Sequence, residues 1–332
     1  MIEELPDDID NDELDDVEPV GDEAQLYEHF RVVVDKGQEM VRVDKYLFDR
    51  LTNSSRNRIQ KAADAGFVMA NGKAVKSSYK VKPMDVITVM MDRPRYENEV
   101  IPEDIPLDIV YEDKYLMVVN KPAGLVVHPG HGNYHGTLVN AIAWHMKDNP
   151  DYDANDPHVG LVHRIDKDTS GLLVVAKTDA AHLGLSAQLE AHSMEREYRA
   201  VVHGRLRESE GVIDAPLARH PVHRKKMAVV PGGRRAVTHY RVLEQFPRFC
   251  YLSCRLETGR THQIRVHMSH IGHPLAGDRV YGAGKNPFGL DSQCLHAKVL
   301  GFTHPVTGER LVFDSELPPY FRRVLTILEN SI

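Results

Sequence analysis

One short stretch of this chain stands above the rest as a place for chemistry: His163-Arg164-Ile165-Asp166-Lys167-Asp168-Thr169-Ser170-Gly171. A carboxylate among cations is held ionised, because nearby positive charge favours the charged form of an acid. An ionised carboxylate is available for general-base or nucleophilic work. A lone aspartate in a polar loop most often serves as a turn or cap residue. This loop, however, runs straight into the apolar stretch LLVVAKT. Polar residues at the mouth of a buried strand are where a rigid scaffold tends to carry function. Asp166 is therefore the candidate carboxylate, in a loop made basic by Arg164 and Lys167.

Nineteen histidines raise metal binding as a rival chemistry. His262, His267, His270 and His273 crowd one segment, and His267 and His270 would share a helix face. Against zinc, the chain has no HExxH and no cysteine at workable ligand spacing, and Arg260 and Arg265 bring charge that opposes a cation. No metal is expected. The nucleotide loops fail as well. Gly282-Ala283-Gly284-Lys285-Asn286 lacks the Ser or Thr that must follow the lysine, and Gly130, Gly132 and Gly136 give GxGxxxG in place of the dinucleotide spacing. No GxSxG elbow occurs, so no serine hydrolase is indicated and no cofactor is expected. Basic residues form a third group. Arg56, Arg58 and Lys61 fall in one helix, Lys73 and Lys76 follow, and Arg219, Arg224, Lys225 and Lys226 crowd RHPVHRKK at 219–226. Charge runs are usually solvated faces, yet compact cationic clusters are also what phosphates bind.

These residues need elements to position them. Residues 26–40 read as a lead-in with an apolar run from Phe30 to Val34. A small unit follows at 41–92. Val43, Leu47 and Leu51 share one helical face, Asn53-Ser54-Ser55 can cap a second helix, and Gly66 can stop it. FVMANGKAVK reads as a hairpin around Asn71-Gly72, and VKPMDVITVMM as a strand. Residues 93–106 hold three prolines and read as a linker. The larger domain, 107–332, carries strands at DIVYEDKYLMVVNKP, LLVVAKT, YRAVVHG, RAVTHYRVLEQF, FCYLSCRLET, HAKVLGFTHP and ERLVFD. Helices are expected after Asp179 as cap, over THQIRVHMSHIG, and over PPYFRRVLTILEN. Strands outnumber helices without regular alternation, which predicts an α+β fold with a mixed, mainly antiparallel sheet and a small αα-plus-sheet domain before it.

Composition sets the outer bounds. The chain has 332 residues, which suggests about two domains. Twelve acidic and no basic residues lie in 1–25; removing them from the net charge of −7 leaves +5 for the remainder. The segment 1–25 is expected to be a disordered tail ahead of a mildly basic body, read as a solubilising leader in preference to a mobile decoy that competes with phosphate for the basic surface. No apolar run reaches membrane-spanning length and the N-terminus lacks a secretory pattern. Three cysteines without CxxC spacing fit a reducing, cytoplasmic location.

The block HRIDKDTSGLLVVAKT resembles the signature of the pseudouridine synthases of the large-subunit ribosomal RNA type. KPAGLVVHPG at 121–130, EREYRAVVHG at 195–204, ETGRTHQIRVHM at 257–268 and HPLAGD at 273–278 resemble that family's other blocks, in its order, and the likeness spans about residues 107–320. The 41–92 unit resembles the small RNA-binding module first described in ribosomal protein S4. Together they are most similar to the subgroup that modifies the helix 69 hairpin. The resemblance implies a cofactor-free isomerase that detaches uracil from its ribose, rotates it and reattaches it through carbon. Asp166 becomes the essential aspartate, acting either at the sugar carbon or on the neighbouring ribose proton. Arg265 becomes its partner, and Tyr198 the residue that stacks on uracil and serves as general base. Arg164 fills the RNA stack vacated by the extruded nucleotide. Arg56, Arg58, Lys61, Lys73, Lys76, Arg224, Lys225 and Lys226 become phosphate contacts. The implied partner is large-subunit ribosomal RNA, free or within an assembling subunit, with no membrane role and a monomeric enzyme. Two other readings stay in play: a non-catalytic RNA-binding assembly factor of the same fold, and a metal-dependent hydrolase built on the histidines.

Overall fold

The computed structural model describes residues 27–51, 56–91, 100–129, 135–149, 159–223, 226–282 and 286–331. The acidic segment 1–25, the Asn53-Ser54-Ser55 cap, positions 93–99 of the linker, and Arg224 and Lys225 lie outside the described residues. The chain divides into two compact units between Asn98 and Glu99.

In the smaller unit the elements run β1 (Tyr27–Val33), α1 (Val43–Phe48), α2 (Arg56–Asp64), β2 (Val68–Ala70), β3 (Lys73–Ala74) and β4 (Val86–Met91). The sheet order is β1-β4-β2-β3, antiparallel throughout. Val43, Tyr46 and Leu47 of α1 and Ile59 and Ala63 of α2 pack on Val68, Ile87 and Val89 of the sheet. The β2–β3 turn is made by Asn71 and Gly72, both with left-handed φ (53° and 78°), the pairing a tight hairpin requires. The Phe30–Val34 run is not a mere lead-in. It forms most of β1, which pairs with β4 from Tyr27↔Met91 to Val33↔Val86 and packs Phe30 and Val32 against the same core.

The larger unit continues with β5 (Ile109–Glu112), β6 (Leu116–Lys121), α3 (Leu138–Met146), β7 (Ser170–Ala176), α4 (Asp179–Glu190), β8 (Glu195–His203), β9 (Glu210–Asp214), β10 (Leu217–Arg219) and β11 (Met227–Val229). It ends with β12 (Val237–Gln245), β13 (Phe249–Leu256), α5 (Gln263–His270), β14 (Leu295–Thr303), β15 (Arg310–Asp314) and α6 (Pro319–Glu329). The main sheet is ordered β5-β6-β7-β14-β8-β13-β12-β9, with β15 on β14, and β10–β11 form a separate ribbon. Its neighbours are antiparallel except β7 and β14. The fold is thus mixed α+β with a mainly antiparallel sheet.

β7 explains the layering. All seven of its residues are buried, as an apolar run covered on both faces must be. Leu173 and Val175 point into a core shared with Leu138, Ile142, Ile264 and Met268 of α3 and α5. Leu172, Val174 and Ala176 point the other way, onto Ala181, Leu185 and Leu189 of α4. The cap of α4 is Thr178, whose side chain accepts from the Ala181 N–H; Asp179, expected as the cap, sits in the first turn, where its charge complements the helix dipole.

Candidate active site

The loop 163–169 ends where β7 begins, and the close approach of β14 fixes that junction. Gly171 has φ 117°, and a Cβ there would sit 2.1 Å from the Ala297 carbonyl oxygen, so only glycine lets the parallel strands meet. Behind the junction Ser170 Oγ bridges His296 Nδ1 (2.8 Å) and Tyr320 Oη (2.9 Å). In front, the buried Lys121 at the end of β6 donates from Nζ to three carbonyls: Pro122 (2.9 Å), Leu125 (2.8 Å) and Lys167 (2.7 Å). Burial brings its pKa down to about 7 against the pull of Asp166 and Asp168. Lys121 thus ties the candidate loop to the strand beside it. His163 is neutral and structural: Val174 N–H donates to its Nε2 (3.1 Å), and burial, aided by Arg196, lowers its pKa to about 3.

Asp166 faces Arg265, which α5 delivers from 99 residues further along. Arg265 Nη1 donates to Asp166 Oδ2 at 2.9 Å, while Nε and Nη2 grip Asp278 at 2.8 and 3.2 Å. Asp278 also accepts from the Val280 and Tyr281 N–H groups (2.8 and 2.9 Å), which fixes the turn after it. Arg265 is therefore clamped from behind and presents one edge to Asp166. Burial pushes the Asp166 carboxyl up, but His262, Arg265 and Arg164 outweigh it, so it lies below its ordinary value and is ionised at neutral pH.

The start of α5 is held by a network on Gln263. Its Oε1 accepts from Thr258 Oγ1 (2.7 Å) and the Arg260 N–H (2.9 Å), and its Nε2 donates to Val237 O and Thr238 Oγ1 (both 3.0 Å). His262 precedes it in the left-handed conformation (φ 55°), with Nδ1 2.8 Å from Tyr281 Oη and Nε2 4.0 Å from Asp166 Oδ2.

Asp166, His262, Gln263 and Arg265 line an open cleft of about 440 Å³. Asp166 and Arg164 of the loop, Tyr198 of β8 and Arg265 of α5 all border it, with Ile165, Leu256, Ile264 and Leu295 as apolar wall. Tyr198 sits in β8 between Cys254 of β13 and Ala297 of β14. Burial and Asp166 raise its phenol to about 12 despite Arg196, so in the resting site it is a protonated hydroxyl on a flat ring. Arg164 is exposed at the rim.

The basic residues fare differently. Lys61, Lys73 and Lys76 are exposed on the smaller unit. Arg56 is half exposed, and its Nε is engaged by Asp44 at 3.3 Å; Arg58 lies in α2. Lys226, expected as a phosphate contact, donates to the Val280 carbonyl at 2.8 Å. It fastens the β10–β11 ribbon to the turn after Asp278, aided by the Met227 N–H donating to Tyr281 Oη (2.8 Å). The histidine cluster is spread over several tasks. Both nitrogens of the buried His267 are used, by Thr238 Oγ1 and the Ala215 carbonyl (2.9 Å each); His273 Nδ1 bonds His203 O, and His270 is exposed. Among the described residues no three His, Cys, Asp or Glu side chains gather as a metal would need. Residue types and spacing alone do not single out Lys121, His262, Asp278 and Tyr281 as parts of the site. The first three lie in the blocks KPAG, THQIR and HPLAGD, whereas nothing local marks Tyr281.

Residues 115–270 match the RNA pseudouridylate synthase family, and residues 41–87 match the S4 domain. The chain is 50% identical, over 89% of its length and 96% of the relative's, to the ribosomal large subunit pseudouridine synthase D of Zymomonas mobilis. It is 44% identical to the protein of that name from Pseudomonas aeruginosa, over 87% of this chain and 92% of that one. The solved structure of human RNA pseudouridylate synthase domain containing 1 shares the fold, with a TM-score of 0.53 at 23% identity, over 68% of this chain and 96% of that one. This chain belongs to the RNA pseudouridine synthases.

Proposed function

We propose that the enzyme converts specific uridines of large-subunit ribosomal RNA to pseudouridine, with Asp166 as the catalytic carboxylate. The observation that carries this reading is an ionised Asp166, gripped by a clamped Arg265, at the wall of a cleft that also holds Tyr198 and Arg164. The names of the relatives supply the RNA class. The reaction breaks the bond from the sugar C1′ to N1 and forms one from C1′ to C5; the C5 proton leaves and N1 gains one, so no electrons are exchanged with a cofactor. Asp166 stabilises the cationic sugar carbon or removes the adjacent ribose proton. Arg265 fixes the carboxylate's direction and keeps it charged. Tyr198 offers its ring to the uracil as it turns. Tyr198 is the proposed base for the C5 proton, once its phenol, protonated in the resting site, has passed its own proton on.

The nucleotide must leave its helix to enter the cleft, at a cost of a few kcal/mol. Arg164 at the rim has the planar head to stack in the gap and touch phosphate. The smaller unit acts as the RNA anchor, through Lys61, Lys73, Lys76, Arg56 and Arg58. A monomer is the proposed working unit. Among the described residues no helix is long and apolar enough to cross a membrane, and the three cysteines are free and buried, which supports a cytoplasmic location. The test is to map pseudouridine in ribosomal RNA from cells with and without the gene. Sites in large-subunit RNA should vanish and return with the parent gene but not with Asp166→Asn; an unchanged map refutes the reading.

A further inference from the structure

His262 combines three features that its role in the helix does not explain. It occupies a left-handed backbone conformation (φ 55°, ψ 20°) although it is not glycine, and its side chain makes no cap to α5. Strained residues of this kind gather where a site holds a side chain in place. The imidazole is instead turned into the cleft, with Nε2 4.0 Å from Asp166 Oδ2.

Its proton position follows from its neighbours. Tyr281 Oη accepts from the Met227 N–H and lies 2.8 Å from His262 Nδ1, a contact in which the phenol can donate its own proton. Burial raises that phenol to about 12, so the proton is present. Burial, with Arg265 and Arg164, lowers the His262 pKa against Asp166 and Asp278, which leaves the ring neutral at neutral pH. A neutral ring that accepts at Nδ1 carries its hydrogen on Nε2. The site thus sets a donor, Nε2–H, and an acceptor, Asp166 Oδ2, 4.0 Å apart.

That gap is too long for a hydrogen bond and the right size for one bridging oxygen. An atom about 2.8 Å from each would see them at about 90°, within reach of hydroxyl geometry. A phosphate or carbonyl oxygen only accepts, and would face the Asp166 carboxylate with nothing to donate. A hydroxyl does both. If Asp166 works at the ribose C1′ or C2′, the nearest substrate hydroxyl is the one on C2′. We propose that His262 donates from Nε2 to the 2′-hydroxyl of the target ribose, which donates in turn to Asp166, so that the site reads RNA at the very nucleotide it modifies. Tyr281 is the positioning residue that fixes the tautomer.

The proposal rests on the reading that Asp166 acts at the ribose. The test compares single-turnover rates on two synthetic RNA hairpins spanning the mapped uridine, identical except for uridine or 2′-deoxyuridine at the target. Any intrinsic effect of the missing hydroxyl is common to all variants, so the ratio of the two rates isolates the contact. Asn tolerates the left-handed backbone, but its amide overlays Nδ1, not Nε2; Gln extends an amide to the Nε2 position. The 2′-deoxy penalty should be about tenfold smaller in His262→Asn than in the parent, and should return to within about threefold of the parent in His262→Gln. Equal penalties in parent and His262→Asn overturn the proposal. Should His262→Asn fail to fold, Tyr281→Phe carries the test: the freed ring must also lower the penalty, and an unchanged value overturns the proposal equally. Failure of the underlying reading looks different, because Asp166→Asn would then still turn over uridine.

Discussion

Each unit of this protein holds an aspartate against arginine, and the two arrangements are inside-out versions of each other. In the smaller unit Asp44 is fully buried and its cations face outward: Arg42 grips it at 2.9 Å and Arg56 at 3.3 Å, with side chains 45% and 49% exposed. In the larger unit the cation is inside. Arg265 is 6% exposed, Asp278 behind it is fully covered, and Asp166, at 20%, is the member that opens to the cleft. Both carboxyls lie below their ordinary pKa, so charge state alone does not distinguish them. Orientation does. A buried acid with exposed arginines presents positive charge to phosphate; a buried arginine with an exposed acid presents a reactive carboxylate.

The largest effect should come from emptying the buried side of the larger cluster. Arg265→Met leaves Asp278 as an uncompensated buried charge, and should cost about 3–5 kcal/mol in urea denaturation along with loss of activity. A destabilisation under about 1 kcal/mol would mean that the clamp is ornamental.

Asp44→Asn attacks the matching buried member of the smaller unit. It should cost about 1.5–3 kcal/mol, as charge-assisted bonds from Arg42, Arg56 and Gln60 weaken. The pH dependence has a definite sign. The folded pKa of Asp44 is depressed, so its contribution is complete above the unfolded value, about 3.9, and is lost as pH falls through the lower folded value. Parent and variant should therefore differ by a constant amount at neutral pH and converge only in strong acid. Single-turnover rate at saturating RNA should hold while RNA affinity falls.

A smaller effect is expected from the exposed lysines. Replacing Lys61, Lys73 and Lys76 together with Gln should weaken RNA binding and flatten the salt dependence by roughly 0.7 in log–log slope for each phosphate no longer neutralised. Lys226→Gln, whose ammonium already serves the Val280 carbonyl, should leave that slope unchanged. Smallest of all, Arg56→Ala should cost less than about 1 kcal/mol, because half-exposed ion pairs contribute little.

Much of this architecture is legible in the residues. The strand β7 announces itself as an unbroken apolar run, and the loop before it as too polar for that company; Asp166 follows from the contrast. Helix α3 escapes sequence reasoning, because Leu138, Val139, Ala141, Ile142 and Ala143 are all buried and leave no amphipathic stripe. Strand β1 reads as a lead-in because its partner, β4, lies more than fifty residues away in sequence. The clamp on Arg265 is hidden although Asp278 lies only 13 residues on. Asp278 and Tyr281 reach the site through a turn, and their meaning depends on a contact with Asp166 that only the folded chain creates. Lys226 has a task that a charge run does not show: its ammonium donates to the Val280 carbonyl.

The central claim is that Asp166, presented by a buried arginine, performs the sugar chemistry while the rest of the protein binds. Single-turnover conversion of uridine by Asp166→Asn tests it most directly, because the change is nearly isosteric and removes only the charge. The rate should fall by more than about 10²-fold with RNA affinity and thermal stability close to the parent's. A rate within a few-fold of the parent would contradict the account.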